Sequence, residues 1–420
     1  MVRINRRYVV VIGIICLMAL LIHGKYTIYE GLGEYILICE SAIALFFVFF
    51  NITKKKSASV FLPIYGAFIA YRIAFGWKIT GTLTSEARSV IYVELGLMIV
   101  SYFMVTTDNY DSVIKTVRVI GSANAILGVI EYITKKNMFI RFIEVSSRIY
   151  MKGSLGTSGW RVRTFLIHPI ICAVFIIVTW IILLYYPYRN GLNNYILKFC
   201  LIIALIGTKA RSSWVAFLVV NAAYILIKRI KNKDISIVRN QIFRWGYAFA
   251  GLIILVLCFG DRLINMYEML KLRWMQAFNW NHAGNYNRVK MIKLGLSRWK
   301  SAPFSTKLFG FGPSYAIELL ARHPIKGWSR AVDNTYLTLL LNYGLIGVGL
   351  FVFMLSIAIY NALMTRDEVV EMAALGMISL YISAFFYDIF PWFSIIAAFC
   401  LFLLGQYSSE MQLKKLWFKV

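Results

Sequence analysis

Three side chains have the chemistry for proton transfer: Asp333, His323 and His168. A carboxylate acts as a general base when its surroundings raise its pKa or hold a hydroxyl close to it. Asp333 also stands just before an apolar run, where an Asp or Asn caps the first turn of a helix, so a structural role is the alternative. His323 is a rival base because an unperturbed imidazole titrates near a pKa of about 6.5. A His at the start of a helix, as expected for His168, fits packing or hydrogen bonding as well.

Composition limits the function classes that can use these groups. The chain has 420 residues, 60% apolar and only 15% charged, with a mean hydropathy of +0.69. Soluble domains carry roughly 25% charged residues, so this composition indicates a chain surrounded by lipid. The 45 Lys and Arg against 19 Asp and Glu give a net charge of +26, which indicates an anionic partner such as nucleic acid, lipid headgroups or a phosphorylated substrate. Because the basic residues are spread over separate loops, we expect membrane lipids and no nucleic acid.

Several catalytic classes lack their sequence signal. The six cysteines lie in apolar stretches without the spacing of metal ligands or of a disulfide framework. An outward Asp-x-Asp pair, typical of metal-bound nucleotide-sugar chemistry, is absent, and so is a Walker-type phosphate loop. We therefore expect no metal and no cofactor.

The elements that position the candidate residues are membrane spans. An all-α polytopic fold with about twelve transmembrane helices is predicted from the apolar runs. These runs are Val9–Ile22, Ile36–Phe50, Val60–Phe75, Val90–Val105, Val117–Ile133, Phe165–Tyr186, Ile196–Gly207, Trp214–Ile227, Tyr247–Phe259, Tyr336–Leu363, Val369–Phe386 and Trp392–Gly405. We expect a single integral membrane domain over residues 1–420.

Charge in the loops predicts the orientation. The Arg-rich start, the Lys-rich end and the six Lys or Arg between Lys228 and Arg244 place both termini in the cytoplasm. The segment Thr134–Arg163 then falls outside, although it has seven Lys or Arg and one acid. Either this loop needs cations for its function, or one span is miscounted.

A large extracytoplasmic loop, residues 260–334, is predicted between spans nine and ten. Its first amphipathic helix is expected over Leu263–Phe278. A second is expected after Asn287 as N-cap, with an apolar face of Val289, Ile292, Leu296 and Trp299. Basic, Trp-bearing helices of this kind lie at a headgroup interface, so capping of the bundle is the alternative to a catalytic role.

The order of four short motifs resembles the O-antigen polymerase and ligase superfamily. The motifs are "FLIHPI" at Phe165–Ile170, "TKARSSW" at Thr208–Trp214, "LFGFG" at Leu308–Gly312 and "DNTYLTLLLNYGLIG" at Asp333–Gly347, with Arg288 opening a helix before the third. Members are bacterial membrane enzymes that join polyprenyl-diphosphate-linked glycans outside the cytoplasmic membrane. Many ligases have His where this chain has Asp333, so the identity of the base stays open.

The resemblance implies roles for individual residues. Arg211 and Arg288 would meet the lipid diphosphate, and a guanidinium suits this because it is permanently charged and binds phosphate oxygens in a bidentate manner. Cations at the departing diphosphate would stabilise the transition state. Asp333 or His323 would deprotonate the acceptor. The remaining substrate-binding candidates are His168, Asn334, Tyr336, Gly310, Gly312 and Arg72. Arg72 and Glu94 fall within spans, where structural pairing is the alternative.

The resemblance also implies an activity and a cellular place. We expect a fold similar to the GT-C glycosyltransferases, in the bacterial inner membrane, that polymerises undecaprenyl-diphosphate-linked repeat units into O-antigen, capsule or exopolysaccharide. A chain-length regulator and a flippase of the same pathway are expected partners. A ligase that transfers finished glycan to another acceptor remains an alternative. So does a twelve-span lipid flippase or transporter, although related halves would then be expected.

Overall fold

The computed structural model describes a chain in which every regular element is helical within the residues that follow. These are residues 61–80, 94–95, 98, 110–139, 160–166, 168–232, 271, 275, 283–325, 332–364, 367–392, 395–396, 398–403 and 405–406. The longer helices are α1 (Phe61–Thr80), α2 (Tyr110–Thr134), α3 (Pro169–Tyr185), α4 (Gly191–Thr208), α5 (Arg211–Asn232), α6 (Ala283–Lys300), α7 (Phe304–Phe309), α8 (Tyr315–Arg322), α9 (Thr335–Met364) and α10 (Glu368–Ala384).

Four of these helices are long and apolar enough to cross a membrane: Ile114–Thr134, Gly191–Thr208, Arg211–Lys231 and Thr335–Met364. The shorter helix α3 is also apolar, and 15 of its 17 residues are buried. These helices fit a multi-pass membrane protein, as predicted. The predicted spans Val9–Ile22, Ile36–Phe50 and Tyr247–Phe259 lie outside the described residues, as does most of Val90–Val105, so the count of twelve stays a prediction.

The start of α3 differs from the prediction. It begins at Pro169 rather than Phe165, because Thr164–Leu166 form a separate 3-10 turn. His168 is the N-cap, and its Nδ1 accepts a hydrogen bond from the Ile170 N–H at 3.3 Å. Pro169 then occupies the first helical position, where its missing N–H costs nothing.

The bundle has two distinguishable ends. At one, α2, α4 and α10 finish while α3, α5 and α9 begin; we call this the site end. Two hydrogen bonds define it, because the Val162 N–H donates to Gly207 O at 2.9 Å and the Thr335 side-chain hydroxyl donates to Tyr387 O at 2.9 Å. At the opposite end, Lys228 and Lys231 both contact Glu371, at 2.7 and 2.8 Å. Positive charge on α5 is thus tied to the first turn of α10, where a carboxylate is favoured.

The Leu308–Gly312 segment docks on the backbone of α9. Phe311 N–H donates to Leu341 O at 2.8 Å and Gly312 N–H donates to Asn342 O at 3.1 Å. Gly344 interrupts α9 with φ +64° and ψ −161°. A Cβ on Gly344 would overlap the Leu308 carbonyl, so the absence of a side chain permits this close approach.

Helices α6, α7 and α8 pack over α9 around a second, smaller apolar cluster. It contains Met291, Ala316, Leu319, Leu320, Ile325, Val332, Leu337 and Leu341. The predicted start of α6 was wrong, because the helix starts at Ala283, so Asn287 lies inside it and is buried rather than capping it. Of the predicted apolar face, Ile292 and Trp299 pack partly buried against this cluster. Met291 and Gly295 are buried more deeply, because Gly295 lets α6 approach Leu337. The predicted helix Leu263–Phe278 lies outside the described residues, apart from two positions.

Candidate active site

An ion pair connects α6 with the start of α9. Arg288 Nη2 lies 3.4 Å from Asp333 Oδ2, and the two side chains are 30% and 16% exposed. Burial raises the pKa of the Asp333 carboxyl, and the adjacent Arg288 opposes part of that rise. The Nε of Arg288 is buried without a hydrogen-bond partner among the described residues. Because the Arg288 side chain is 30% exposed and makes one ion pair among the described residues, its guanidinium keeps donor capacity for an anionic ligand, and the raised pKa suits Asp333 to act as a general base.

The neighbouring Asn334 supplies the helix cap. Its Oδ1 accepts from the Leu337 N–H at 2.9 Å, and its Nδ2 donates to Phe385 O at 3.1 Å. Asn334, and not Asp333, therefore caps the first turn of α9. Because Asn334 satisfies the first turn of α9, the carboxylate of Asp333 is turned to Arg288 instead.

A second group of positive side chains lies at the site end, from two adjoining segments. We call Arg161, Arg163, Lys209 and Arg211 the cationic cluster. Arg161 Nε donates to Thr208 O at 2.9 Å, directly before the turn that contains Lys209 and Arg211. Lys209 has a left-handed conformation, φ 53°, that ends α4 and lets Arg211 begin α5.

Glu131 of α2 holds one of these segments in place. Its Oε2 accepts from the Thr164 N–H at 2.7 Å and its Oε1 from Asn137 Nδ2 at 3.2 Å. Thr164 has φ 54°, a conformation unusual for a β-branched residue, and Glu131 fixes it. The turn that carries Arg161 and Arg163 is thereby anchored to the bundle.

His168 lies beside the cationic cluster and inside an aromatic group. Its ring stacks on Tyr387 at 5.2 Å and contacts Trp392 at 5.1 Å between centroids. Burial, together with Arg161 and Arg163, lowers the pKa of His168 to about 3. A neutral imidazole accepts a hydrogen bond through Nδ1, which fits a positioning role at the start of α3.

The loop after α10, residues 385–392, contacts His168 beside the cationic cluster and Thr335 beside the Arg288–Asp333 pair. Tyr387 contacts His168 on one side, and its carbonyl accepts from Thr335 on the other. Thr335 follows Asp333 by two residues, and Asp333 is paired with Arg288. Arg211 begins α5 and Arg288 pairs with Asp333 just before α9, so both predicted arginines belong to segments at the site end of the bundle.

His323 is not part of this arrangement. It ends α8 and is exposed, and it lines a separate cleft with Arg298 of α6. Ten residues, or about 15 Å of helix, separate Arg298 from Arg288. We therefore favour Asp333 over His323 as the base.

The other predicted binding residues have structural contacts. The N–H groups of Gly310 and Gly312 donate to Thr306 and Asn342 carbonyls, so they do not form a free phosphate cradle. Tyr336 donates to Tyr381 O at 3.1 Å and stacks on Phe385. These contacts explain the three residues by packing, and we leave them out of the proposed site.

Arg72 forms the structural ion pair with Glu94 that was the alternative to substrate binding. Its Nη1 lies 2.7 Å from both oxygens of Glu94, and the guanidinium lies over the rings of Phe68, Tyr343 and Phe390. The side chain is 3% exposed. This buried pair lies within the bundle rather than in the cationic cluster.

Sequence reasoning did not single out Arg161, Arg163 or Asp388. The cation excess of Thr134–Arg163 was the signal for the two arginines, but nothing in the sequence indicated which of its seven cations reach the site end. Asp388 Oδ2 accepts from Thr338 Oγ1 at 3.2 Å, which brings a second carboxylate to the start of α9.

Residues 196–352 match the O-antigen ligase family. The resemblance to the O-antigen polymerase and ligase superfamily is therefore confirmed, over more than a third of the chain. The matched segment contains Arg211, Arg288 and Asp333, but not Arg161, Arg163 or His168. A comparison with curated proteins gives no match. The family supports a multi-pass membrane enzyme that acts on lipid-linked glycans.

Proposed function

We propose that this chain is a polysaccharide polymerase that transfers a growing glycan from undecaprenyl diphosphate to a lipid-linked repeat unit. The observation that carries the proposal is the Arg288–Asp333 pair, at the same end of the bundle as the cationic cluster. Asp333 beside Arg288 can take the proton of an acceptor hydroxyl. Arg288 and the cationic cluster can bind the departing diphosphate.

The proposed reaction is an inverting displacement. The acceptor hydroxyl oxygen forms a bond to the anomeric carbon of the donor, and Asp333 accepts the hydroxyl proton. The bond from the anomeric carbon to the diphosphate oxygen breaks, and its electron pair leaves with the diphosphate. Arg211 and Arg288 hold the diphosphate where this charge develops, so no metal is required. Arg161 and Lys209 add positive charge on the donor side.

The proposed setting is the extracytoplasmic face of a bacterial inner membrane. The site end then faces outward and both termini lie in the cytoplasm. The ion pairs of Lys228 and Lys231 with Glu371 lie at the opposite end, in agreement with the positive-inside tendency of that loop.

Ligase activity is the second candidate, because the matched family is named for it. The two activities share the donor, the leaving group and the proposed arginines, and differ in the acceptor. A polymerase gives a ladder of products that lengthen by one repeat unit, whereas a ligase gives a single transfer.

The test uses the purified full chain in lipid nanodiscs with lipid-linked repeat units. We expect a product ladder from the wild type and none from Arg288→Ala, while thermal unfolding stays similar. Lys293→Ala is the matched control, because Lys293 is an exposed cation on the same helix. An unchanged ladder in Arg288→Ala would reject the assigned role, and a single product in the wild type would favour the ligase.

A further inference from the structure

A cleft lies on the surface of the α6–α8 region, away from the Arg288–Asp333 pair. It has a volume of about 430 Å³. Its polar lining consists of Ser297, Arg298, Ser301, Tyr315, Arg322 and His323. We call this the α6–α8 cleft. Neither the family resemblance nor the proposed reaction gives it a task.

Arg298 is held in a fixed orientation in the cleft. Its Nε donates to the Tyr315 hydroxyl at 3.0 Å. Tyr315 in turn stacks on Phe311, with centroids 4.2 Å apart and planes within 8°. Among the described residues, the terminal nitrogens of Arg298 make no hydrogen bond, so the end of the guanidinium presents two parallel N–H groups. That geometry matches a carboxylate.

The remaining charges of the cleft favour the same ligand. Arg322 contacts Glu318 at 3.3 Å, but these side chains are 70% and 54% exposed. An ion pair this exposed contributes little to stability, so the Arg322 guanidinium can also bind an anionic ligand. His323 contributes a further hydrogen-bonding ring, and Glu318 is outside the lining.

The uncharged lining favours a sugar over a lipid. The Ser297 and Ser301 hydroxyls donate to backbone carbonyls of α6 at 2.9 and 3.0 Å, so each is left to accept a hydrogen bond from a ligand hydroxyl. The Tyr315 hydroxyl accepts from Arg298, so its own proton is left to donate to such a ligand. The apolar lining residues, Leu294 and Leu319, are half-buried and buried, so they offer an acyl chain little surface.

We propose that the α6–α8 cleft is a subsite for carboxylate-bearing sugar units of the glycan, held about 15 Å along α6 from Arg288. The inference rests on the proposed function and names the chemistry of its substrate. A uronic-acid unit binds Arg298 through its carboxylate, while its hydroxyls donate to Ser297 and Ser301 and contact His323. The subsite keeps a long chain on the enzyme between additions.

The experiment measures binding without catalysis. Oligogalacturonate, a soluble uronic-acid oligomer, is titrated into the full chain in nanodiscs of zwitterionic lipid, with a neutral maltooligosaccharide of equal length as comparison. We expect binding of the acidic oligomer only, weakened by added salt. Arg298→Ala combined with Arg322→Ala should lower the affinity by about tenfold or more, at roughly a threefold loss or more per charge. Lys293→Ala should change it less than about twofold.

The results separate this inference from the proposed function. Asp333→Asn should bind oligogalacturonate like the wild type even where transfer is lost. Absence of binding, equal binding of the neutral oligomer, or unchanged affinity in the double variant would overturn the subsite. Vesicles of anionic phospholipid form a further arm. If the double variant loses vesicle binding but keeps oligogalacturonate binding, the cleft is a membrane contact and the inference is wrong.

Discussion

Arg288 and Asp333 are 45 residues apart in the chain, yet Nη2 and Oδ2 lie 3.4 Å apart. The distance is long for a charge-assisted hydrogen bond, and the Arg288 Nε has no partner among the described residues. The pair is therefore a loose one, which a diphosphate can enter without displacing a tight salt bridge.

Asp333→Asn should lower the rate of transfer by about a hundredfold or more, because the amide cannot accept the acceptor proton. The measurement is the initial rate of product formation. Asp388→Asn is the comparison, since Asp388 is a second carboxylate near the start of α9 but bonds Thr338 instead of Arg288. A larger loss in Asp388→Asn than in Asp333→Asn would transfer the role of base to Asp388.

The stability difference between Asp333→Asn and the wild type should depend on pH. Burial raises the pKa of Asp333 above its ordinary value of 3.8, so ionisation costs the folded state more than the unfolded state. The contribution of Asp333 to the free energy of unfolding of the wild type therefore falls as the pH rises from this ordinary pKa through the raised one. The Asn variant has no such loss. Its melting temperature relative to the wild type should rise over this window, and a falling difference would contradict the net effect of burial.

Gly310→Ala should destabilise the fold by about 2 kcal/mol or more, because Gly310 has φ +93° and a Cβ would overlap the backbone of Asn342. Gly349→Ala is the control on α9, where a Cβ meets nothing within 4 Å. That variant should be neutral or more stable by up to about 1 kcal/mol. Thermal unfolding in detergent measures both. Equal stability of the two variants would mean that the Leu308–Gly312 segment does not dock on α9.

Arg72→Met alone should destabilise the protein by about 3–5 kcal/mol, because it leaves Glu94 charged and buried. Adding Glu94→Leu should recover most of this loss, since an apolar pair of similar volume often replaces a buried ion pair. The double variant also decides between two roles for Arg72. Recovered stability together with full transfer activity indicates structural pairing, whereas recovered stability without activity would return Arg72 to substrate binding.

The sequence was most informative where lipid constrains it. A helix in hydrocarbon must be apolar over its length, so the runs around α4, α5 and α9 could be located within a few residues. The buried face of α6 could be located only in part, because Gly295 has little hydropathy and contributes through the space it leaves for Leu337. Asp333 and Asn334 have nearly equal capping propensity, so only tertiary contacts decide that Asn334 caps α9.

Some residues of the candidate site could be predicted from the sequence, and others could not. Arg211, Arg288 and Asp333 were chosen by their motifs, and the structure brings all of them to one end of the bundle. Arg161 and Arg163 were hidden in a long basic loop, because their position depends on the contact of Val162 with Gly207 and on Glu131. Such contacts between distant segments leave no local pattern in a single sequence.

The Tyr71 hydroxyl faces two carbonyls, Phe309 O at 2.8 Å and Tyr343 O at 2.9 Å, and its one proton is shared between them. Together with the backbone bonds of Phe311 and Gly312, it fastens the α6–α8 region to the interrupted part of α9 and to α1. This region is thereby fastened to both α1 and α9. Under the proposed function, a lengthening glycan would pass this fastened rim, and turnover would then be set by sliding of the glycan along it.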